Sequence, residues 1–466
     1  TIRPRLWNIS KMFRAVALYL LAWPVAAFSI ADSVHLRQAK LDAGGEGDDA
    51  YYWAGKNGNL LRTGASQFSA SVKLQDGPAW SWHEKGNGLI RAAPLIDNNK
   101  NIYLASIRGN VYKFSKDGKV LWTHSEAHSI PDVPAIMGGA LYATNTDGQV
   151  FALDMQTGQM LWKTKVLKCS AGDTWSMTAG DGVVVAAVSD SATCSTNNHL
   201  VALDAKTGSV MWSFKPIAPV YNALTAVHEG SLVFSDLQGR AYRLSLTDGH
   251  VIWKSSPGLE ASQSLSFTTG GTVIGSNGVL YVTSNVLENK TGGTKENQGY
   301  VTAFSFANGT LLWRHCTEYE ANNAASVGRL GRDGPMAVVV GVGKNPDLPN
   351  PVKQLFRQAS SNEKKARIVA LNAQTGKELW KKELPAWHGW AAGDTIAHIC
   401  LPDAFGNPAL SADGTAYIGF ASGRFYGVND WNHDGHIDES ELTSWDTGNA
   451  FQGSPGLAPG MVVATP

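Results

Sequence analysis

Three observations in the 466-residue chain predict an all-β fold, an eight-bladed β-propeller of four-stranded antiparallel blades. The first is a hairpin repeat. "YKFSKDGKVLW", "FALDMQTGQMLW", "VALDAKTGSVMW", "YRLSLTDGHVIW", "TAFSFANGTLLW" and "VALNAQTGKELW" end at Trp122, Trp162, Trp212, Trp253, Trp313 and Trp380, and each has Gly four residues before Trp. An alternating strand meets a turn whose glycine tolerates positive φ, and a second strand follows with Trp facing inward. The second is the pair of strand-like runs upstream of each hairpin, such as "DVPAIMG" and "ALYATN". They make each unit four strands, and tandem four-stranded units are propeller blades. The third is the placing of Trp82 and Trp445, which extend the series to eight positions.

Taken in order, residues 1–31 are upstream residues plus a secretion signal. Basic Lys11 and Arg14 precede an apolar run from Ala15 to Ile30, and small Ser29 and Ala31 fit cleavage after Ala31. Met12 is the expected start, and a retained signal anchor is the alternative. The run contains Pro24 and is short for a membrane span, and after cleavage no other segment is expected to cross a bilayer. Residues 32–76 form a lead-in and 77–466 the propeller. The tail "FQGSPGLAPGMVVATP" matches "IRAAPLIDNNKNIYLAS" and supplies inner strands for the blade whose outer strand is the Trp82 segment. That closes the ring with both ends of the chain. Its third strand is expected to be missing, as for a chain truncated at Pro466.

Lys+Arg and Asp+Glu both number 39, so no global field favours nucleic acid, and the expected location is extracellular or periplasmic. Four cysteines in a secreted chain point to disulfides, with Cys169–Cys194 and Cys316–Cys400 the favoured pairing of three. Sequons occur at Asn289 and Asn308.

The repeats resemble the PQQ-type propeller repeat, with its A-x-D-x-x-T-G-x-x-x-W pattern, over roughly residues 77–466. That superfamily includes quinoprotein alcohol dehydrogenases and a cofactor-free outer-membrane-assembly lipoprotein, so the resemblance implies the fold and leaves function open. In the dehydrogenases a ring of adjacent cysteines carries the quinone. The nearest cysteines here, Cys169 and Cys194, are 25 residues apart, so PQQ is not the expected cofactor.

The hairpin turn before Trp445 is eight residues longer than the one before Trp380 and reads "NDWNHDGHIDESEL". Asp430, Asn432 and Asp434 fall at positions 1, 3 and 5 of a calcium loop of the EF-hand type, with Gly435 at the bend. His436 offers its carbonyl at position 7, Asp438 follows at 9 and Glu441 is the bidentate carboxylate at 12. Hard oxygen donors at this spacing suit Ca²⁺, expected in a structural role over 430–441 with no entering helix.

Long stretches at 189–198, 284–299, 343–366 and 385–408 fall on one face, where loops carry recognition. Trp387, His388, Trp390, Asp394 and His398 form its densest polar–aromatic cluster, suited to an unidentified protein, peptide or glycan ligand. The sequence thus predicts a secreted calcium-binding module for binding or scaffolding. A quinone-dependent oxidoreductase with an atypical site is the first alternative, and a hydrolase or lyase on the insertion face is the second.

Overall fold

The structure, a computed structural model, describes residues 51–85, 90–172, 176–255, 263–266, 271–288, 299–346, 363–394 and 403–466, together with the strand Pro24–Ser29. It is an all-β propeller of four-stranded antiparallel sheets. Sheet 1 holds Leu95–Ile96, Ile102–Ala105, Asn110–Phe114 and Val120–Ser125. Sheets 2, 3 and 4 repeat that up-and-down order over 135–165, 178–214 and 226–254, as do sheets 6 and 7 over 326–383 and 409–446. A terminal sheet combines both ends of the chain.

Sheet 5, over 263–317, corrects the expectation of eight four-stranded blades: seven sheets have four strands and this one has five. Its strand Val279–Glu288 runs for ten residues, so Thr272–Ile274 and Gln263–Ser266 pair along the same edge in succession. The stretch expected as a loop from 284 is therefore strand up to Glu288.

The terminal sheet carries a second correction. Gly456–Ala458 and Met461–Ala464 are its inner strands and Trp80–His83 its outer one, as expected. The third place is filled, not missing: Pro24–Ser29 pairs with Met461–Ala464 on one side and Trp80–His83 on the other. Two strands with unpaired backbone edges flank that place, and any extended segment that can donate and accept there satisfies them. The segment lies within the run read as a signal.

Tryptophan joins the sheets to one another. Each ring packs on the turn glycine of the following sheet: Trp122 on Gly158, Trp162 on Gly208, Trp212 on Gly249, Trp253 on Gly309 and Trp313 on Gly376. Trp445 of sheet 7 packs on Gly77 in the same way. The indole N–H then donates to a turn carbonyl, as from Trp162 to Ala205 at 2.9 Å and from Trp212 to Leu246 at 2.8 Å. In the terminal sheet Trp80, not Trp82, takes this position: it packs on Gly118 and donates to the Lys116 carbonyl at 3.0 Å. Trp82 instead packs edge-on against Tyr112 and Phe114.

The core follows from the strand pattern. Inner strands such as Val183–Val188 are buried throughout, whereas outer strands such as Met160–Lys165 alternate between exposed and half-buried. The turns are fixed by their own side chains. Asp154 Oδ1 accepts from the Gln156 and Thr157 amides and the Thr157 hydroxyl, and these bonds hold its carboxyl below the usual range.

Candidate functional sites

The lead-in supplies a feature that the repeat pattern does not announce. Residues 53–66 hydrogen-bond to the innermost strands of one sheet after another. Trp53 exchanges two bonds with Ile96 of sheet 1, at 2.9 Å each, and the Ala54 carbonyl accepts from Ile136 of sheet 2. The Leu60, Leu61 and Thr63 carbonyls accept from Val227, Ile274 and Val327 of sheets 4, 5 and 6. Gly64 and Ser66 bracket Leu410 of sheet 7. Sheet 3 is reached by a side chain: buried Arg62 donates to the Met177 carbonyl at 2.8 Å and Thr178 Oγ1 at 2.7 Å, and to the Thr225 carbonyl of sheet 4 at 2.9 Å. A guanidinium with five fixed donors satisfies several carbonyls at once, which a lysine cannot do in this geometry. The segment is thus a hub tying seven sheets together.

Beside the hub runs a chain of amides. Asn57 donates to the Ala325 carbonyl at 3.1 Å and accepts from Asn407 at 2.8 Å. Asn407 in turn accepts from the Ala324 amide. Asn322 bonds both Asn285 and Asn345, and Asn345 donates to Asp403 at 2.9 Å. This network ends on a carboxylate, Asp403, and Glu320 bonds into it through Asn322 and Asn345. Nearby strand entrances carry titratable groups. Asp132 is fully buried, with Oδ2 accepting from the Thr144 amide at 2.8 Å and Oδ1 without a partner. Burial pushes its carboxyl well above the usual range, and burial likewise raises Glu320.

The enlarged turn lies between Arg424–Val428 and Leu442–Asp446, delivered by a strand and not by a helix. His433 and Gly435 take positive φ, at 59° and 81°, so the loop curls twice. Asn432 Oδ1 accepts from the Asp434 amide at 2.9 Å, and Asp434 Oδ1 accepts from His436 at 2.8 Å. Asp438 Oδ1 accepts from Ser440 at 2.7 Å, and such bonds hold the Asp438 carboxyl below its usual range. Glu441, 4 % exposed, turns inward and accepts from the Asn432 and Asp438 amides at 3.4 and 3.1 Å. Asp430, 7 % exposed, has Oδ1 without a partner. A buried carboxylate oxygen left unsatisfied is costly, and a cation would relieve it. Oxygen donors of this kind are the type Ca²⁺ takes, and among the described residues no group of three or more His, Cys, Asp or Glu is drawn together into a metal cluster.

On the insertion side, Trp387–His388 pairs with Glu363–Lys364 as a two-stranded ribbon, and Trp387 Nε1 donates to the Trp390 carbonyl at 2.8 Å. The two tryptophans therefore share one turn. His388 is exposed while Asp394 is buried, so the structure puts these two in different environments. His398 and Cys400 lie outside the described residues, as does Asn289. Asn308 is exposed in a turn where it accepts from Thr310. The Cys169–Cys194 disulfide is formed as expected. Among the described residues no helix is long and apolar enough to cross a membrane.

Comparison with known proteins places this geometry. Over 144 residues the chain is 30% identical to the outer membrane protein assembly factor BamB of Burkholderia pseudomallei, covering 30% of this chain and 34% of the relative. Over 407 residues it is 26% identical to a polyvinylalcohol dehydrogenase of Sphingopyxis, covering 80% of this chain and 52% of that protein. The chain thus spans about half the length, or less, of these curated relatives. Among solved structures, the quinohemoprotein alcohol dehydrogenase of Comamonas testosteroni superposes with a TM-score of 0.58 at 13% identity, covering 88% of this chain and 75% of that one. BamB of Moraxella catarrhalis superposes with a TM-score of 0.52 at 16% identity, covering 81% and 97%. These structural likenesses show the fold alone. The profile of the family described as outer membrane protein assembly factor BamB matches residues 54–255, 170–345 and 297–396, and with more than half its length matched the chain belongs to that PQQ-like repeat family.

Proposed function

We propose that this chain is a calcium-clipped propeller that acts outside the cytoplasm as a binding or scaffold module. In this reading the four-stranded sheets are the blades of one propeller, with the hub at its centre. One observation carries the calcium assignment: Asp430 and Glu441, positions 1 and 12 of the loop, are both buried, and Asp430 Oδ1 has no partner. Asp430, Asn432, Asp434, Asp438, Glu441 and the His436 carbonyl would hold the ion, which supplies the positive charge that lets these oxygens share one loop. The likeness to an outer membrane protein assembly factor supports the scaffold reading and the location.

Thermal unfolding with calcium and with EGTA, in the wild type and in Glu441→Gln, tests it. At ten to a hundred times Kd, calcium should add roughly 1.4 to 2.7 kcal/mol to the wild type. The variant should show no such gain, and a calcium-independent midpoint in the wild type would sink the assignment.

A second reading rests on the polyvinylalcohol dehydrogenase, whose similarity covers 80% of this chain. It makes the protein a quinone-dependent oxidoreductase with an atypical site on the insertion side. Reconstitution with PQQ and calcium followed by gel filtration tests it, because quinone absorbance that travels with the protein is required.

A further inference from the structure

We infer that the 430–441 loop is a calcium-operated latch across the interface between sheets 6 and 7. The inference rests on the calcium assignment above and adds what the ion does. In five consecutive interfaces the indole N–H reaches the carbonyl of the residue that follows the turn's leading residue, as Trp313 reaches Ala373 at 3.2 Å. Asn429 leads the enlarged turn, since its amide bonds the Glu441 carbonyl across the loop as the Asn372 amide bonds Lys377. The carbonyl due to meet Trp380 is therefore that of Asp430. Trp380 is 1% exposed, and its Nε1 has no partner. Hence one interface carries both an unpaired buried donor, Trp380 Nε1, and an unpaired buried acceptor, Asp430 Oδ1.

The loop already lies on the strand that carries Trp380. Lys382 Nζ donates to the Ile437 carbonyl at 2.9 Å and pairs with Glu439 at 3.3 Å. Ile437 packs in one cluster with Trp380 and Leu379. Glu441 is held by the amides of Asn432 and Asp438. Asp430 and Glu441 would hold the ion, and gathering their carboxylates would position the Asp430 carbonyl to accept from the indole. Occupancy then makes at this interface the bond that ordinary turns make without help.

The test is hydrogen exchange on the full chain, read at 378–383, alongside calcium titration by calorimetry. Calcium should bind the wild type and slow exchange in that strand by roughly tenfold to a hundredfold at ten to a hundred times Kd. By reciprocity, Trp380→Phe should weaken calcium by about fivefold or more. Leu379→Ala, which leaves the buried indole and the charges around the loop intact but removes the apolar side chain packed in the cluster with Ile437, should weaken it in the same direction and keeps the test valid if the first variant folds poorly. If calcium binds but exchange at 378–383 is unchanged and both variants bind as tightly as wild type, the latch is refuted while the calcium site stands. If calcium does not bind at all, the assignment falls and takes the latch with it.

Discussion

The turn of sheet 4, Ser245 to Trp253, and that of sheet 7, Asn429 to Trp445, solve the same problem in different ways. Each must reverse the chain and receive a tryptophan from the sheet before it. In sheet 4 the reversal is short and rigid: the Gly249 amide bonds the Ser245 carbonyl at 3.0 Å, and the Leu246 carbonyl takes the Trp212 indole. In sheet 7 twelve residues do the same work, and the indole goes unpaired. The longer loop gains something in exchange. The residue just before each tryptophan sits at a break in register and is exposed on five sheets, as with Leu161 at 55% and Leu312 at 50%. Its counterpart Leu379 is half-buried under Ile437. The short turn relies on backbone geometry, whereas the long one covers more apolar surface and leaves polar groups for an ion to settle.

The largest way to break that comparison is at the two glycines. Gly249 has φ of 74°, and a Cβ there would lie 2.7 Å from the Trp212 ring. Gly249→Ala therefore combines a left-handed backbone, about 1–2 kcal/mol, with overpacking of about 1–3 kcal/mol. Gly435 has φ of 81°, but the nearest atom to its Cβ is the Leu379 carbonyl oxygen at 3.1 Å. Gly435→Ala should cost the backbone term plus a smaller steric one, since the Leu379 oxygen is less crowded than the Trp212 ring. Denaturant unfolding in EGTA checks the order, and equal costs would mean that the Trp212 contact carries no strain.

The tryptophans sharpen the comparison by a smaller amount. Trp212→Phe removes a bonded N–H and strands the Leu246 carbonyl, whereas Trp380→Phe removes an N–H that has no partner. The first should be the more costly by about 1–2 kcal/mol in EGTA. The gap should narrow in calcium if the latch closes. Chemical denaturation of both variants in both conditions measures it, and a larger loss for Trp380→Phe in EGTA would show that its indole is satisfied.

What was readable in the sequence divides along the same line. The repeated turns announce themselves because Gly and Trp occupy fixed places for backbone and packing reasons, so the sheets and the position of the long loop follow from spacing, whereas the 169–194 disulfide was one favoured pairing among three. The choice between Trp80 and Trp82 does not. They lie two apart on one strand face, and only the neighbouring turn decides which ring meets Gly118. The hub at 53–66 was invisible because its contacts are mostly backbone to backbone, which any sequence can make; Arg62 within a Gly- and Asn-rich stretch was the one available sign. The cluster around Trp387 was legible as residues, not as geometry, since sequence proximity does not show that His388 is exposed while Asp394 is buried.

The smallest expected effect tests whether the short turns hold themselves by side-chain bonds, as their geometry implies. Thr157→Ala removes the hydroxyl that bonds Asp154 Oδ1 at 2.8 Å, leaving the two amide bonds in place. The carboxylate is exposed and screened by water, so the loss at neutral pH should be no more than about 0.5 kcal/mol. Its pH dependence is the more telling part. Thr157 is the foremost cause of the lowered Asp154 pKa, ahead of the Gln156 amide. A carboxyl lowered in the folded state stabilises fully above its unfolded value, about 3.9, and loses that contribution as pH falls through the folded value. The difference between variant and wild type should therefore shrink as pH falls below about 4. Urea unfolding at pH 7 and pH 3 measures it. A difference that stays constant would mean that the hydroxyl acts through packing, and the short turn would then be held by its glycine and tryptophan alone.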